Sequence, residues 1–294
     1  MTEKLATTID QQIQLLRDRG MTISDEDKAK KILMDKGYYR LGFYWFPFET
    51  TYPDKKTRSH KFKEGTEFAD AVALYYFDSN LRTILAEYLY RIEINFRTNL
   101  IYNVSNHYKA DPFWFSNLSI VKDKFLDSLD RNYSSIMKND AIKIHHKHHK
   151  KDKYAPAWKT LEYMTFGEII VLYNSLKDED LRGEIATRYN VRNLKIMVRI
   201  LENFKVLRNQ CAHSHNIFDL HLKKSLDNGP ITNMNGHNDD LVGCLFYIHY
   251  VVSSISKNRA LDFKNRIKEL VENESNEKIH YIIDYIKDFY QVLE

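Results

Sequence analysis

From Thr66 to about Ser105 the chain keeps a helical period over a length that no strand reaches. Val72, Tyr75, Tyr76, Leu81, Leu85, Leu89, Ile92, Phe96 and Leu100 recur at spacings of three to five residues. Apolar groups spaced in this way gather on one side of an α-helix, whereas a strand would need strict alternation. The same period governs most of the remaining chain and no β-alternation persists, so the fold class is all-α. Nine Gly and five Pro among 294 residues agree with long helices and few tight turns.

The pattern predicts helices over residues 7–19 and 25–36, with Ser24 capping the second, Asp25 and Glu26 in its first turn, and Gly37 stopping it. The long segment is expected to kink or break near Asp78-Ser79-Asn80. Further helices are predicted over 117–137, 158–176, 179–189, 193–212, 239–256, 260–273 and 277–292. Residues 50–65 and 222–238 read as polar loops, the second with Asn228-Gly229-Pro230 and Asn235-Gly236-His237. Thr165-Phe166-Gly167-Glu168 reads as a helix start or kink where Gly allows close packing. The chain is expected to divide into an N-terminal helical and aromatic extension, 1–62, and a helical domain, 63–294.

Gly37-Tyr38-Tyr39-Arg40-Leu41-Gly42-Phe43-Tyr44-Trp45-Phe46-Pro47-Phe48 is too rich in rings for a solvated loop. It is either an aromatic plug between helical layers or a surface on which bases stack. Cys211 and Cys244 are the two cysteines and both lie in apolar patterns, which predicts reduced core thiols of a cytosolic protein. Met1-Thr2-Glu3-Lys4 leads into a polar amphipathic stretch rather than a signal peptide, and no run of about 18 apolar residues predicts a membrane span.

The net charge of +4 is mildly basic and permits an anionic partner without requiring one. The positive charge is local. Ile142 to Tyr154 holds five Lys, four His and one acid. His145 and His149, four apart, have zinc-like spacing, but no acid or Cys at ligand spacing accompanies them and lysines surround them. The run is read as a solvated loop, as an RNA-phosphate patch, or as both. Its patch members are Lys143, His145, His146, Lys147, His148, His149, Lys150 and Lys151, and RNA binding there is expected to weaken with salt and strengthen as pH falls.

Arg208-Asn209-Gln210-Cys211-Ala212-His213 closes the apolar pattern of the 193–212 helix. A guanidinium binds phosphate with a planar fork, and an imidazole exchanges protons near neutral pH. At about 100° per residue, Arg208 falls with Met197, Leu201, Phe204 and Cys211, where it needs an acidic or phosphate partner. His213 is then about 140° away. Either the helix frays at Ala212, or a second contributor such as the same helix end of another copy completes the pair. Asn209 lies on the His213 face and is suited to orienting the imidazole or binding phosphate. A structural Arg paired to a carboxylate, with a capping His, is the simpler alternative. No Walker loop, G-x-G-x-x-G or Ser-His-Asp arrangement is present.

Several segments, in order, carry a resemblance: Gly37 to Tyr44; Leu74-Tyr75-Tyr76-Phe77-Asp78-Ser79-Asn80-Leu81-Arg82; Arg91-Ile92-Glu93-Ile94-Asn95-Phe96-Arg97; Pro156-Ala157-Trp158; Met164 to Glu168; and Arg208 to His213. Over roughly residues 25–220 the chain resembles the Abi-F/AbiD abortive-infection proteins (the Abi_2 family) of the HEPN superfamily. The resemblance implies a HEPN-like helical bundle with Arg208 and His213 as its R-x4-H pair, often facing a second copy in a homodimer. It further implies a toxin restrained by a small non-coding RNA. Relatives often continue after the His with a basic residue and Trp-Asn. Here Ser214-His215-Asn216 follows, with His215 or Asn216 as substitutes.

The expected activity is metal-independent endonucleolytic cleavage of RNA by 2′-hydroxyl attack, without a cofactor. Arg208, His213 and Asn209 are the catalytic set. Glu93 is the expected structural partner of Arg208, with Arg40, Arg82 and Arg97 at RNA. The alternative is a non-catalytic RNA-binding adaptor of a phage defence system.

Overall fold

Capping side chains set where many of the α-helices begin. The computed structural model describes residues 5–226 and 229–293; the reading placed on Met1–Lys4, and Asn228 of the expected Asn-Gly-Pro turn, lie outside the described residues. Thr8 and Gln11 form a capping box at the start of α1 (Ile9–Asp18). α2 (Glu26–Lys36) is capped by Asp25, whose carboxylate accepts from the Lys28 N–H, one residue later than the expected Ser24. Gly37, at φ +84°, ends α2 and opens α3 (Tyr38–Trp45), so the aromatic segment is a helix followed by a 3-10 turn at Phe46–Phe48. Leu41, Tyr44, Trp45, Phe46 and Phe48 are buried, as a plug requires.

α4 (Phe68–His107) runs unbroken for 40 residues, about 60 Å, through the expected break. Asp78 normally competes for helix backbone, but here its carboxylate is drawn into tertiary bonds with Tyr44, Arg82 and the backbone of Ile217 and Phe218. α4 is the spine of the molecule, buried on most sides, with α3, α10, α11 and α12 packed along it.

The next segments are shorter than expected. α5 spans Asp123–Ile136 after a 3-10 turn at Trp114–Ser116. The first half of the Lys/His run is not a loop but part of α6 (Asp140–His148), whose last turn holds His145, His146, Lys147 and His148 where the helix dipole favours cations, while residues 149–154 follow as an irregular turn, as expected of a loop. The helix expected over 158–176 is divided into α7 (Ala157–Thr160), a 3-10 turn and α8 (Phe166–Ser175). A capping box between Thr165 and Glu168 starts α8, and a Cβ on Gly167 would sit 3.3 Å from the Lys205 side chain, the close packing expected there.

α9 (Glu179–Thr187) and α10 (Leu194–Ala212) follow, α10 capped by Asn193. After the irregular segment come α11 (Leu241–Ile255), α12 (Lys257–Glu272), α13 (Glu277–Ile283) and α14 (Lys287–Val292), the last two separated by a 3-10 turn where one helix was expected. Among the described residues there is no strand, only isolated backbone bridges, and the fold is all-α. Among them, too, no helix is long and apolar enough to cross a membrane. Leu16, Leu41 and Trp45 share one buried cluster with Phe96, Phe204 and Phe263, so the N-terminal segment packs into the same core as the rest. Cys211 and Cys244 are free and buried in it, as expected, and burial pushes the Cys211 thiol up to about 12.

Candidate RNA-processing site at the end of α10

α10 does not fray at Ala212. The His213 N–H still bonds the Asn209 carbonyl at 2.9 Å, and the turn closes as a Schellman motif: Ser214 N–H to Cys211 O at 3.2 Å and His215 N–H to Gln210 O at 2.9 Å. Ser214 takes the left-handed position, φ +55°, that glycine usually fills. The His213 and His215 rings, 6.3 Å apart, are both exposed at this end.

Arg208 sits at the rim of the apolar face and not within it, its side chain 37% exposed. It has the acidic partner its position demands. Glu93 of α4, 5% exposed, points Oε2 at Arg208 Nε from 3.3 Å, while its Oε1 accepts from Arg97 Nη2 at 2.9 Å. Arg208 Nη1 also faces Asn209 Oδ1 at 3.3 Å. Asn209 therefore orients the guanidinium and not the imidazole. Arg208 Nη2 makes no hydrogen bond among the described residues, which leaves a donor for an anion.

Two arginines expected at RNA are buried. Arg97 is buried between Glu93 and the Met164 carbonyl at 3.0 Å, where it holds the break before α8. Arg82 is buried as well. Its Nη1 donates to Tyr44 Oη at 2.9 Å and to the His215 carbonyl at 3.1 Å, and it pairs with Asp78. Both are turned inward, Arg97 under the segment before α8 and Arg82 under the loop after α10. Arg40, in contrast, is exposed on α3 and donates to the Ser214 carbonyl at 2.9 Å, beside the motif.

The loop after His213 is fastened further by Asp78, Tyr285 and Lys55. Asp78 Oδ1 accepts the N–H groups of Ile217 and Phe218 at 3.0 and 2.8 Å, and its Oδ2 accepts the Tyr44 hydroxyl at 2.8 Å. Burial pushes the Asp78 carboxyl up to about 6; Arg82, Tyr44 and the two backbone donors pull the other way. Tyr285 donates to the Phe218 carbonyl at 2.6 Å, and Lys55 bonds Asp219 at 3.0 Å. Asn216 is turned to Asp219 at 2.8 Å, so of the two residues after Ser214 it is His215 whose ring faces solvent. The sequence reading did not single out Tyr44 or Asp78 as site residues. The available signal was the Asp78–Arg82 pair, opposite charges four apart inside an apolar helical pattern.

The α6 patch is apart in sequence and is mixed. Lys143, Lys147, His148, His149, Lys150 and Lys151 are exposed. His145 is 5% exposed, stacks on His149 and bonds Asp152 Oδ2 at 3.1 Å through Nε2. Burial lowers its pKa, against the pull of Asp152, so it stays neutral at pH 7. His146 is bonded to Tyr133 Oη at 2.7 Å. These two imidazoles are bonded within the protein, to Asp152 and Tyr133. Among the described residues no three His, Cys, Asp or Glu side chains converge as a metal site needs.

The model of one protein family, described as Abi-like protein, matches residues 31–219. No curated protein and no solved structure matches the chain. The matched span contains α3, α4 and the whole of α10 with its terminal turn, so it includes the contacts of Arg208 with Glu93 and Asn209 and those of the loop beyond His213 with Arg40, Arg82, Asp78 and Lys55, but not the bond from Tyr285.

Proposed function

The chain belongs to the Abi-like family, whose name points to abortive infection as a form of phage defence, and on that premise we propose that it is a metal-independent endoribonuclease of the HEPN type. The observation that carries this reading is the Arg208 guanidinium, anchored by Glu93 and Asn209 with one donor open, on the same helix end as the exposed His213.

In the proposed reaction Arg208 holds the scissile phosphate and offsets its growing negative charge. His213 takes the proton of the adjacent 2′-hydroxyl, and O2′ bonds to phosphorus as the bond to O5′ breaks. The departing O5′ gains a proton from a second imidazole or from water. The products are a 2′,3′-cyclic phosphate and a 5′-hydroxyl, and DNA lacks the attacking group. Because helix geometry separates Arg208 from His213 and α10 does not fray, a homodimer that brings two α10 ends together completes the pair. A small non-coding RNA is the proposed restraint, seated on the basic surface in the cytoplasm.

The test is single-stranded RNA incubated with purified protein in EDTA. Cleavage lost in His213→Ala and in Arg208→Ala, with unchanged helical content, supports the reading. Tight RNA binding without cleavage under any condition favours an RNA-binding adaptor instead. Sequencing the nucleic acid that co-purifies with the protein tests the restraining RNA.

A further inference from the structure

We propose that Tyr39 and Phe43 form a stacking subsite for an unpaired RNA base next to the Arg208–His213 turn. The proposal rests on the ribonucleolytic reading above for the identity of the ligand, and on α3 for its geometry.

α3 divides its side chains cleanly. Leu41, Tyr44 and Trp45 are buried, whereas Tyr39, Arg40 and Phe43 form the opposite stripe. Tyr39 is 83% exposed and Phe43 43% exposed, and their rings meet edge to face at 5.4 Å. Single exposed aromatics need no explanation. Two in contact present a rigid apolar face at little cost in conformational entropy, and their position gives that face a ligand.

Arg40 lies between them in sequence and reaches the Ser214 carbonyl, one residue beyond His213. On α3 the two rings thus flank the residue whose side chain touches the turn after His213. A cation lies between them on the same stripe. The remaining nitrogens of the Arg40 guanidinium have no partner among the described residues, and exposed Lys55 reaches Asp219 in the loop after the motif. Rings on either side of a guanidinium with open donors suit a base joined to phosphates better than an apolar peptide. The selected ligand is single-stranded, because a base within a duplex has no free face to offer.

The test uses the full-length protein and a labelled 2′-O-methyl single strand, which keeps bases and phosphates but resists 2′-hydroxyl attack. Binding is compared with an abasic strand of equal length, and stacking is read from quenching of a 2-aminopurine in the strand. The intact strand should bind more tightly than the abasic one. Tyr39→Ala and Phe43→Ala should each lower affinity for the intact strand by about 5- to 100-fold, the contribution of one stacked base, and abolish the quenching, while leaving abasic binding unchanged. Tyr39→Phe should retain both signals.

Equal binding of intact and abasic strands overturns the proposal, as does quenching that survives both alanine variants. A change in oligomeric mass with unaltered RNA binding also overturns it and makes the face a contact between copies. Should an alanine variant unfold, the presence or absence of quenching with the unaltered protein decides. Because the strand resists cleavage, these outcomes are independent of whether ordinary RNA is cut.

Discussion

Glu93 Oε2 and Arg208 Nε lie 3.3 Å apart, and the same carboxylate holds Arg97 through its other oxygen. One buried acid thus serves an arginine at the surface and an arginine in the core. Breaking such an arrangement from the acidic side strands the buried cation. Glu93→Ala is expected to cost roughly 3–5 kcal/mol of stability, read by chemical denaturation. Arg208→Ala relieves a half-exposed partner and should cost much less, while abolishing RNA cleavage. Equal losses of stability in the two variants would contradict this division of roles.

Asp78 is the corresponding anchor for the loop. Asp78→Asn keeps one acceptor oxygen for Ile217 and Phe218 but removes the charge that satisfies buried Arg82. A stability loss of about 3 kcal/mol is expected, together with a fall in cleavage, since the His215 carbonyl that Arg82 holds lies two residues from His213. Tyr44→Phe removes a hydroxyl that bridges the pair and should cost about 1 kcal/mol. Amide exchange at Ile217 and Phe218 should quicken in both variants.

Ser214 occupies a left-handed position that costs a residue with a side chain roughly 1–2 kcal/mol. Ser214→Gly relieves that strain at the price of a more flexible unfolded chain, so a net gain of about 1 kcal/mol is expected, visible as a higher unfolding midpoint. Arg40 meets the Ser214 carbonyl rather than its side chain, so that contact is kept. An unchanged or lowered midpoint would mean that the serine hydroxyl contributes more than the strain costs.

Much of this architecture is legible in the sequence, because helical periodicity and capping are local. α1, α2, α9 and α10 fall where Thr8, Asp25, Asp178 and Asn193 cap them, within a residue or two of the reading. The Glu93–Arg208 pair was legible too, since a charged residue at the edge of an apolar face must find a counter-charge. What failed depended on tertiary contact. Asp78-Ser79-Asn80 looks like a break until Arg82 and the Ile217–Phe218 backbone are seen to engage Asp78. Arg82 and Arg97 look like surface cations until the packing of α4 is known. The 158–176 pattern hides the break at Met164, whose carbonyl is held by an arginine 67 residues away.

His237 gives a pH dependence with a defined sign. Burial lowers its pKa, but hydrogen bonds to Asp240 Oδ2 at 2.5 Å and Asp288 Oδ2 at 3.0 Å raise it further, and the net shift is upward from 6.5. The folded state therefore binds this proton more tightly than the unfolded state. The resulting stability is fully present below the unfolded value near 6.5 and is lost as pH rises through the higher folded value. Folding free energy should decline from pH 6.5 upward, and the decline should flatten in His237→Gln. A wild-type curve that rises over this range would refute the assignment.

The α6 patch makes a final, separable prediction, because the structure divides residues that the sequence groups together. Lys147, Lys150 and Lys151 are exposed and free to meet phosphate, whereas His145 is buried against Asp152 and stacked on His149. If the patch binds RNA, each lysine that neutralises a phosphate releases a counterion, and the dependence of log affinity on log salt carries about 0.7 per contact for a single strand. Lys147→Ala, Lys150→Ala and Lys151→Ala combined should lower that slope by up to roughly 2 without moving the unfolding midpoint. His145→Ala should do the reverse, because it removes a packed ring and strands the Asp152 partner while leaving the exposed charge in place. Its midpoint should fall and its salt slope should stay the same. A lysine triple variant with an unaltered slope would leave α6 as a solvated basic helix and move the RNA contact to the α3 and α10 face alone.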